Sequence, residues 1–111
     1  MEKDIIFLVK STPFVTLNNY EALRTSISLF DHKICVIWLN DGVFFPLKSS
    51  DKMMTRPFLR LAKDLDIRLI VDLNDLECRG FTSNEVINEA EPMVHEKILE
   101  KLAKANIVIS F

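Results

Sequence analysis

The sequence predicts an α/β protein of three layers, in which helices cover both faces of a mostly parallel sheet of four or five strands. Apolar runs of strand length alternate along the chain with amphipathic stretches of helical length, which is the pattern of βαβ units. The run at residues 34–40 is apolar on both faces, as expected of a central strand. The 111 residues contain no linker or repeat, so we expect a single domain over residues 1–111.

Strands are predicted where apolar runs are bounded by turn-forming residues. They are expected at Asp4–Val9 and at residues 34–40, 67–71 and 107–111, with residues 86–87 as a short edge strand. After the second run, Asp41-Gly42 turns the chain into the apolar segment 43–47. An Asp-Gly pair between apolar runs is also typical of a tight hairpin, and this alternative stays open.

Helices are predicted where apolar residues recur at a spacing of three or four. They are expected from Asn18 or Asn19 to residue 30, from about Pro57 to Leu65, over residues 73–79, and from Glu91-Pro92 through Leu102. An asparagine can cap the first helix, a proline fits a first turn, and Gly80 would end the third helix. On the first helix, Leu23, Ile27 and Phe30 are expected to share the buried stripe.

The composition excludes several common functions of α/β proteins. With only two glycines, Gly42 and Gly80, the chain cannot build a glycine-rich phosphate loop, so nucleotide binding is not expected. Lys10-Ser-Thr12 stands where a phospho-receiver domain needs paired acids, and no C-x-x-C motif is present for thioredoxin chemistry. The net charge of −2, with dispersed lysines and arginines, speaks against direct binding of nucleic acid.

Membrane and metal binding are not expected either. The longest apolar run, residues 34–39, is too short to span a bilayer, and the acidic start does not resemble a signal peptide. We therefore expect a cytoplasmic protein with reduced thiols. His32 and His95 lie far from both cysteines in sequence and are expected at the surface, so neither a metal site nor a cofactor is predicted.

The chain has two cysteines, and only one of them is a candidate nucleophile. Cys35 lies within the most apolar strand and is expected to be an inert core thiol. Cys78 is the candidate catalytic residue, but it is expected near the C-terminal end of its helix, whereas a thiolate is favoured by a helix N-terminus or a nearby cation. Arg79 offers only partial compensation, so a structural or incidental role is the favoured interpretation of Cys78.

The junction between the third strand and the third helix is the better place for a thiolate, because free backbone N–H groups point outward there. Asp72 occupies this junction. Its expected role is to cap the helix by accepting a hydrogen bond from the N–H group of Asn74 or Asp75. The other candidates for a crevice at the strand ends are Ser11, Asp41 and Arg79.

Five short motifs occur in order along nearly the whole chain: Pro13-Phe14, Glu21-Ala-Leu-Arg24, Asp41-Gly-Val-Phe44, Phe58-Leu-Arg-Leu-Ala-Lys63 and Arg79-Gly80. Together they resemble the DsrE/DsrF-like sulfur-relay family, and within it the DsrF or TusC branch. The ending Val108-Ile-Ser110 also resembles the DsrH or TusB branch. The resemblance implies a DsrE-like domain of flavodoxin-like architecture that assembles with related subunits, or with itself, into oligomers such as hexamers.

The resemblance also implies a function. In this family persulfide sulfur is passed between proteins, for tRNA 2-thiolation or for sulfur oxidation. In the sulfur-carrying members the active cysteine follows the third strand, and counting back from Gly80 places that position at Asp72 in this chain. Cys78 does not match it, which favours a partner subunit over a carrier.

The first hypothesis is therefore a non-catalytic subunit of a sulfur-relay complex, with related DsrE-like or DsrH-like subunits and a downstream sulfur acceptor as partners. The apolar loop of Val43, Phe44 and Phe45 is expected to be exposed and to form an interface. One alternative is a sulfurtransferase that carries persulfide on Cys78, with Arg79 stabilising the anion. The other is a stand-alone regulatory domain that binds a small neutral or cationic ligand.

Overall fold

Within residues 2–13 and 16–111, which the computed structural model describes, five strands form one parallel sheet and confirm the α/β class. Phe14 of the Pro13-Phe14 motif lies outside the described residues. The strands are Asp4–Val9 (β1), Lys33–Trp38 (β2), Arg68–Asp72 (β3), Glu91–Met93 (β4) and Ile107–Ser110 (β5). Their order is β4-β3-β2-β1-β5, and each neighbouring pair is parallel.

The connections between the strands are mostly helical. The described helices are Asn18–Ser28 (α1), Arg56–Asp64 (α2), Leu73–Cys78 (α3) and His95–Lys104 (α4), with short 3₁₀ turns at Asn40–Phe44 and Ser83–Glu85. None of the helices in the described ranges is long and apolar enough to cross a membrane. As predicted, Pro57 lies in the first turn of α2, and Gly80 follows α3 with a positive φ of 84°.

The sheet is buried on both faces because successive side chains of a strand point to opposite sides. On one face, Val36 of β2 belongs to the larger core, which includes Leu23 of α1 and Leu59 of α2. On the other face, Ile37 belongs to a smaller core with Ile98 of α4. The helices thus form two layers around the sheet, and β2 is the central strand that its apolar sequence predicts.

The prediction that Glu91-Pro92 opens the last helix is wrong. Glu91–Met93 forms β4, which pairs with β3 at the edge of the sheet, and α4 begins at His95. A proline is tolerated in an edge strand because no ladder N–H group is needed on its open side. The edge strand expected at residues 86–87 is also wrong, since Val86 makes an isolated antiparallel bridge to Leu47.

Neither asparagine at the start of α1 caps this helix, contrary to the prediction. Leu17 holds the N-cap position without a side-chain hydrogen bond, and Asn19 is buried, where its Oδ1 accepts a hydrogen bond from Trp38 Nε1 at 2.7 Å. A buried indole N–H group needs such a partner, and only the tertiary structure supplies it. Because α1 ends at Ser28, Phe30 lies beyond the helix and is exposed instead of buried.

The segment after β2 belongs to the core. The hairpin alternative for Asp41-Gly42 is wrong, because Asn40–Phe44 is a 3₁₀ turn and β2 is parallel to β3. This turn folds the chain back over the sheet, so that Val43 and Phe45 are buried in the larger core and Phe44 is half-buried against it. The expectation that Val43, Phe44 and Phe45 form an exposed apolar loop is therefore wrong.

Candidate functional site at the carboxyl ends of the strands

The parallel sheet brings the residues that follow β1, β2, β3 and β4 to one edge. Ser11 follows β1, Asp41 follows β2, Asp72 ends β3, and His95 begins α4 directly after β4. The carboxyl ends of the strands are the usual place for ligands in open α/β sheets. This edge is therefore the candidate functional site.

Asp72 is the buried polar centre of this edge. Its side chain is 0% exposed, and its Oδ1 accepts a hydrogen bond from the Asp75 N–H group at 3.1 Å, which confirms the predicted capping of α3. Its Oδ2 accepts from His95 Nδ1 at 2.6 Å. Both carboxylate oxygens are thus engaged, one by the start of a helix and one by an imidazole.

His95 is held at two points against the start of α3. Its backbone N–H group donates to Asn74 Oδ1 at 2.7 Å, and its ring donates to Asp72 through Nδ1. The side chain remains 47% exposed, and Nε2 makes no hydrogen bond with any residue in the ranges 2–13 and 16–111. Two contacts therefore fix the ring, and its second nitrogen remains available for another molecule.

The Asp72 carboxylate raises the pKa of His95 above its usual value of 6.5. The hydrogen bond is the largest cause, and the negative charge of Asp72 is the next; Asp75 adds a smaller increase, and burial acts in the opposite direction. An imidazole exchanges protons near neutral pH and is the commonest acid–base group in enzymes. The arrangement can therefore accept or donate a proton at Nε2.

Sequence reasoning did not find this pair. The sequence predicts a surface position for His95, and the residue is indeed partly exposed, but its ring also binds a fully buried carboxylate. Asp72 and His95 are 23 positions apart, and the pairing of β3 with β4 brings them together. Polar residues at the ends of neighbouring strands are the signal that could have found the pair, provided that β4 had been assigned.

Two of the predicted crevice residues, Asp41 and Arg79, form an ion pair. Arg79 donates from Nε and Nη2 to Asp41 Oδ1 at 3.1 and 3.0 Å, and from Nη1 to the Asp75 carbonyl oxygen at 3.0 Å. Asp75 Oδ2 in turn accepts from the N–H group of Asn40 at 2.7 Å. These bonds tie the loop after β2 to α3, so the guanidinium is already occupied by partners within the chain.

Ser11 does not join this network. Its Oγ accepts a hydrogen bond from Asn18 Nδ2 at 2.7 Å, which links the loop after β1 to the start of α1. The structure thus divides the predicted crevice residues into separate contacts: Ser11 with Asn18, Asp41 with Arg79, and Asp72 with His95. Only the last contact joins a buried charge to a partly exposed acid–base group.

The two cysteines differ as predicted. Cys78 is exposed and is the last residue of α3, where the unpaired carbonyl groups of a helix end oppose a thiolate. The neighbouring Arg79 donates its hydrogen bonds to Asp41 and to the Asp75 carbonyl group. Cys35 is buried in β2, and burial raises the pKa of its thiol to about 11.

The second histidine lies elsewhere in the molecule. His32 directly precedes β2, and its Nδ1 accepts a hydrogen bond from the Lys3 N–H group at 3.2 Å, at the amino ends of the strands. Within the described ranges, no group of three or more histidine, cysteine, aspartate or glutamate side chains is placed to hold a metal ion. His95 is therefore the one histidine at the candidate site.

A protein-family model matches nearly the whole chain. The model of the DsrE/DsrF-like family matches residues 3–111. The chain belongs to the DsrE/DsrF-like family. This result confirms the resemblance that the five sequence motifs indicate.

One relative and two solved structures are similar to this DsrE/DsrF-like chain. The intracellular sulfur oxidation protein DsrF of Allochromatium vinosum is 29% identical over 111 aligned positions, which cover 92% of this chain and 82% of the relative. The crystal structure of the ychN protein from E. coli has a TM-score of 0.84 at 16% identity. A protein of unknown function from Methanobacterium thermoautotrophicum has a TM-score of 0.75 at 11% identity. In both comparisons the alignment covers 100% of this chain and 100% of the solved chain. At these identities the similarity shows the fold alone.

Proposed function

We propose that this chain is a partner subunit of an intracellular sulfur-relay complex and does not itself carry the transferred sulfur. A role in sulfur relay is supported by membership of the DsrE/DsrF-like family. Assignment to the DsrF or TusC branch is supported by the similarity to a DsrF protein. The partners would be related DsrE-like or DsrH-like subunits that hold a reactive cysteine, together with a downstream sulfur acceptor in the cytoplasm. The sulfur would serve sulfur oxidation, as the name of the DsrF relative indicates, or tRNA 2-thiolation.

The observation that carries this proposal is the side chain at position 72. The family resemblance places the active cysteine of the sulfur-carrying members there, and this chain has Asp72 instead. The carboxylate is fully buried, and both oxygens are hydrogen-bonded, to Asp75 and to His95. A carboxylate cannot form a persulfide, so a subunit with this site needs a partner to carry the sulfur.

A second candidate function is persulfide carriage on Cys78. One observation favours it, because Cys78 is exposed whereas Cys35 is buried. The position of Cys78 at the end of α3 speaks against a stabilised thiolate, since helix carbonyl groups face that end.

Intact-mass spectrometry after incubation with a sulfur donor separates the two candidates. The chain is co-expressed with relatives that have the family cysteine, as wild type and as Cys78→Ser. We expect the cysteine-bearing relative to gain one sulfur atom and to co-purify with this chain, while neither form of this chain gains sulfur.

Two results would contradict the proposal. A sulfur adduct on the wild-type chain that disappears in Cys78→Ser would make it a carrier. A chain that elutes as a monomer, both alone and with every co-expressed relative, would not be a subunit, and the small-ligand regulatory domain would then be the better hypothesis.

A further inference from the structure

The geometry points to His95 as an acid–base residue that acts on a cysteine thiol presented by a partner protein at the carboxyl edge of the sheet, an inference that rests on the proposed relay function. In this arrangement Asp72 is a positioning residue, because it acts only through the imidazole. The chain would then lack the sulfur-carrying thiol but would supply a proton-transfer group to one.

The orientation of the ring carries the first step. Asp72 Oδ2 accepts from Nδ1 at 2.6 Å, and Asn74 Oδ1 accepts from the backbone N–H group of His95 at 2.7 Å. With Nδ1 protonated and bound, the neutral ring has its lone pair on Nε2, the nitrogen that makes no bond within the described part of the chain. A buried carboxylate that orients an imidazole in this way is the usual support of a histidine base.

Two apolar side chains near the ring are partly exposed. Val94 directly precedes His95 and is 40% exposed, and Leu99 lies one turn further along the same face of α4 and is 51% exposed. Two such residues do not by themselves identify an interface, and it is the proposed relay function that supplies the partner protein. A docked partner would cover Val94 and Leu99 and would exclude water from the imidazole between them.

The chemistry of the pair indicates a thiol. Among the protein nucleophiles, a cysteine thiol has an ordinary pKa of about 8.5, about two units above that of an imidazole, so moving its proton to the ring costs only about 3 kcal/mol. Asp72 and Asp75 are the charged groups that raise the pKa of His95 and bring it closer to that of a thiol. These carboxylates also repel a ligand that arrives as an anion, whereas a thiol arrives neutral.

The proton-transfer step balances without another reagent. The S–H proton of the partner passes to the lone pair of His95 Nε2, and the products are a thiolate and an imidazolium that attract each other. The hydrogen bond from Nδ1–H to Asp72 stays intact, and no atom is oxidised or reduced. In the reverse direction the imidazolium returns the proton to a departing thiolate.

The test measures the reactivity of the partner thiol within the complex. Complexes of the chain with a co-expressed relative that has the family cysteine are prepared as wild type, His95→Gln, Asp72→Asn and His32→Gln. The rate at which iodoacetamide alkylates the partner cysteine is followed across the neutral pH range by mass spectrometry. His32→Gln is the matched control, because it removes the histidine at the amino ends of the strands, away from Asp72.

We expect His95→Gln to move the midpoint of the alkylation profile up by about one pH unit, which lowers the thiolate reactivity near neutral pH about tenfold. Asp72→Asn should also raise the midpoint, because asparagine loses the charge and has only one acceptor oxygen for the two N–H groups of Asp75 and His95 Nδ1. His32→Gln should match the wild type. A partner cysteine whose profile is the same in the His95→Gln complex would overturn this inference alone, and failure of the wild type to form any complex would overturn the relay function as well.

Discussion

The buried side chain of Asp72 makes hydrogen bonds to two helices, α3 and α4. A buried carboxylate with unmet hydrogen bonds would cost several kcal/mol, so its burial requires partners for both oxygens. The N–H group of Asp75 at the start of α3 is one partner, and the ring of His95 at the start of α4 is the other. Asp72 therefore joins α3 to α4 in addition to capping a helix.

The Asp72–His95 contact should make stability depend on pH. The pKa of His95 is raised in the folded state, so the contact stabilises fully below the unfolded value of about 6.5 and loses its effect as the pH rises through the folded pKa. We expect the free energy of unfolding of the wild type to exceed that of His95→Gln most in mild acid, with a gap that narrows toward alkaline pH. Urea titrations at a series of pH values measure this gap.

The control for this prediction is the same comparison in an Asp72→Asn background. Without the carboxylate charge, the gap between the two forms of residue 95 should vary much less with pH. A gap in the wild-type background that stays constant with pH, or that widens toward alkaline pH, would show that the contact does not favour the imidazolium.

The two glycines should respond very differently to alanine. A Cβ at Gly42 would lie 2.1 Å from the carbonyl oxygen of Val9, and backbone cannot move away cheaply, so Gly42→Ala should cost at least about 2 kcal/mol. At Gly80 a Cβ would meet no atom within 4 Å, and only the positive φ of 84° is strained, so Gly80→Ala should cost about 1 kcal/mol. Denaturant titrations of both variants measure these costs, and equal losses would contradict the close approach of Gly42 to β1.

At the scale of secondary-structure elements, α4 is the helix that packs on the smaller core. Its Ile98 is fully buried there with Ile37 of β2 and Ile70 of β3. Leu99, the next residue, points to the other side of the helix and is half exposed. The attachment of α4 therefore depends on Ile98, on the partly buried Leu102 and on the contacts of His95 at its start.

This arrangement predicts a sharp contrast between neighbouring positions. Ile98→Ala should destabilise the fold by roughly 3 kcal/mol, because it leaves a cavity under α4. Leu99→Ala should change the free energy of unfolding by less than about 0.5 kcal/mol, because that side chain is half exposed and belongs to neither core. Thermal and denaturant unfolding check both values, and a large loss in Leu99→Ala would place Leu99 inside the fold instead of on its surface.

Elements with strong local signals could be predicted from the sequence, and those with weak signals could not. Pro57 marks the start of α2 and Gly80 the end of α3, because each residue restricts the backbone by itself. The three residues of β4 have too short a pattern to be recognised, and a proline within them also fits the first turn of a helix. Without β4 the position of His95 beside Asp72 could not be foreseen.

At the scale of the whole molecule, the order β4-β3-β2-β1-β5 sets a gradient of burial across the sheet. β2 has a strand on each side, and its Val36, Ile37 and Trp38 are fully buried. β4 lies at one edge with three residues, and β5 lies at the other with mostly exposed side chains. Both edge strands should therefore open more readily than the centre.

Hydrogen exchange should reveal this gradient. Amides of β2 should exchange only through global unfolding, whereas those of β4 and β5 should also exchange through local opening and hence faster. Exchange measured by mass spectrometry or NMR, with denaturant added in steps, separates the two routes. Protection of β4 equal to that of β2 would indicate that the edge is covered, and the measurement should then be repeated on diluted protein to detect association.

The amino-acid sequence alone determined the α/β class, the central place of β2, the capping role of Asp72 and the membership of the family, because these follow from local patterns of apolar, proline and glycine residues and from motif order. The tertiary structure decided the rest. It placed Val43 and Phe45 in the core, paired Arg79 with Asp41, and set His95 on Asp72. Each of these contacts joins residues that are far apart in sequence, and no local pattern encodes which distant strands and helices will pack together.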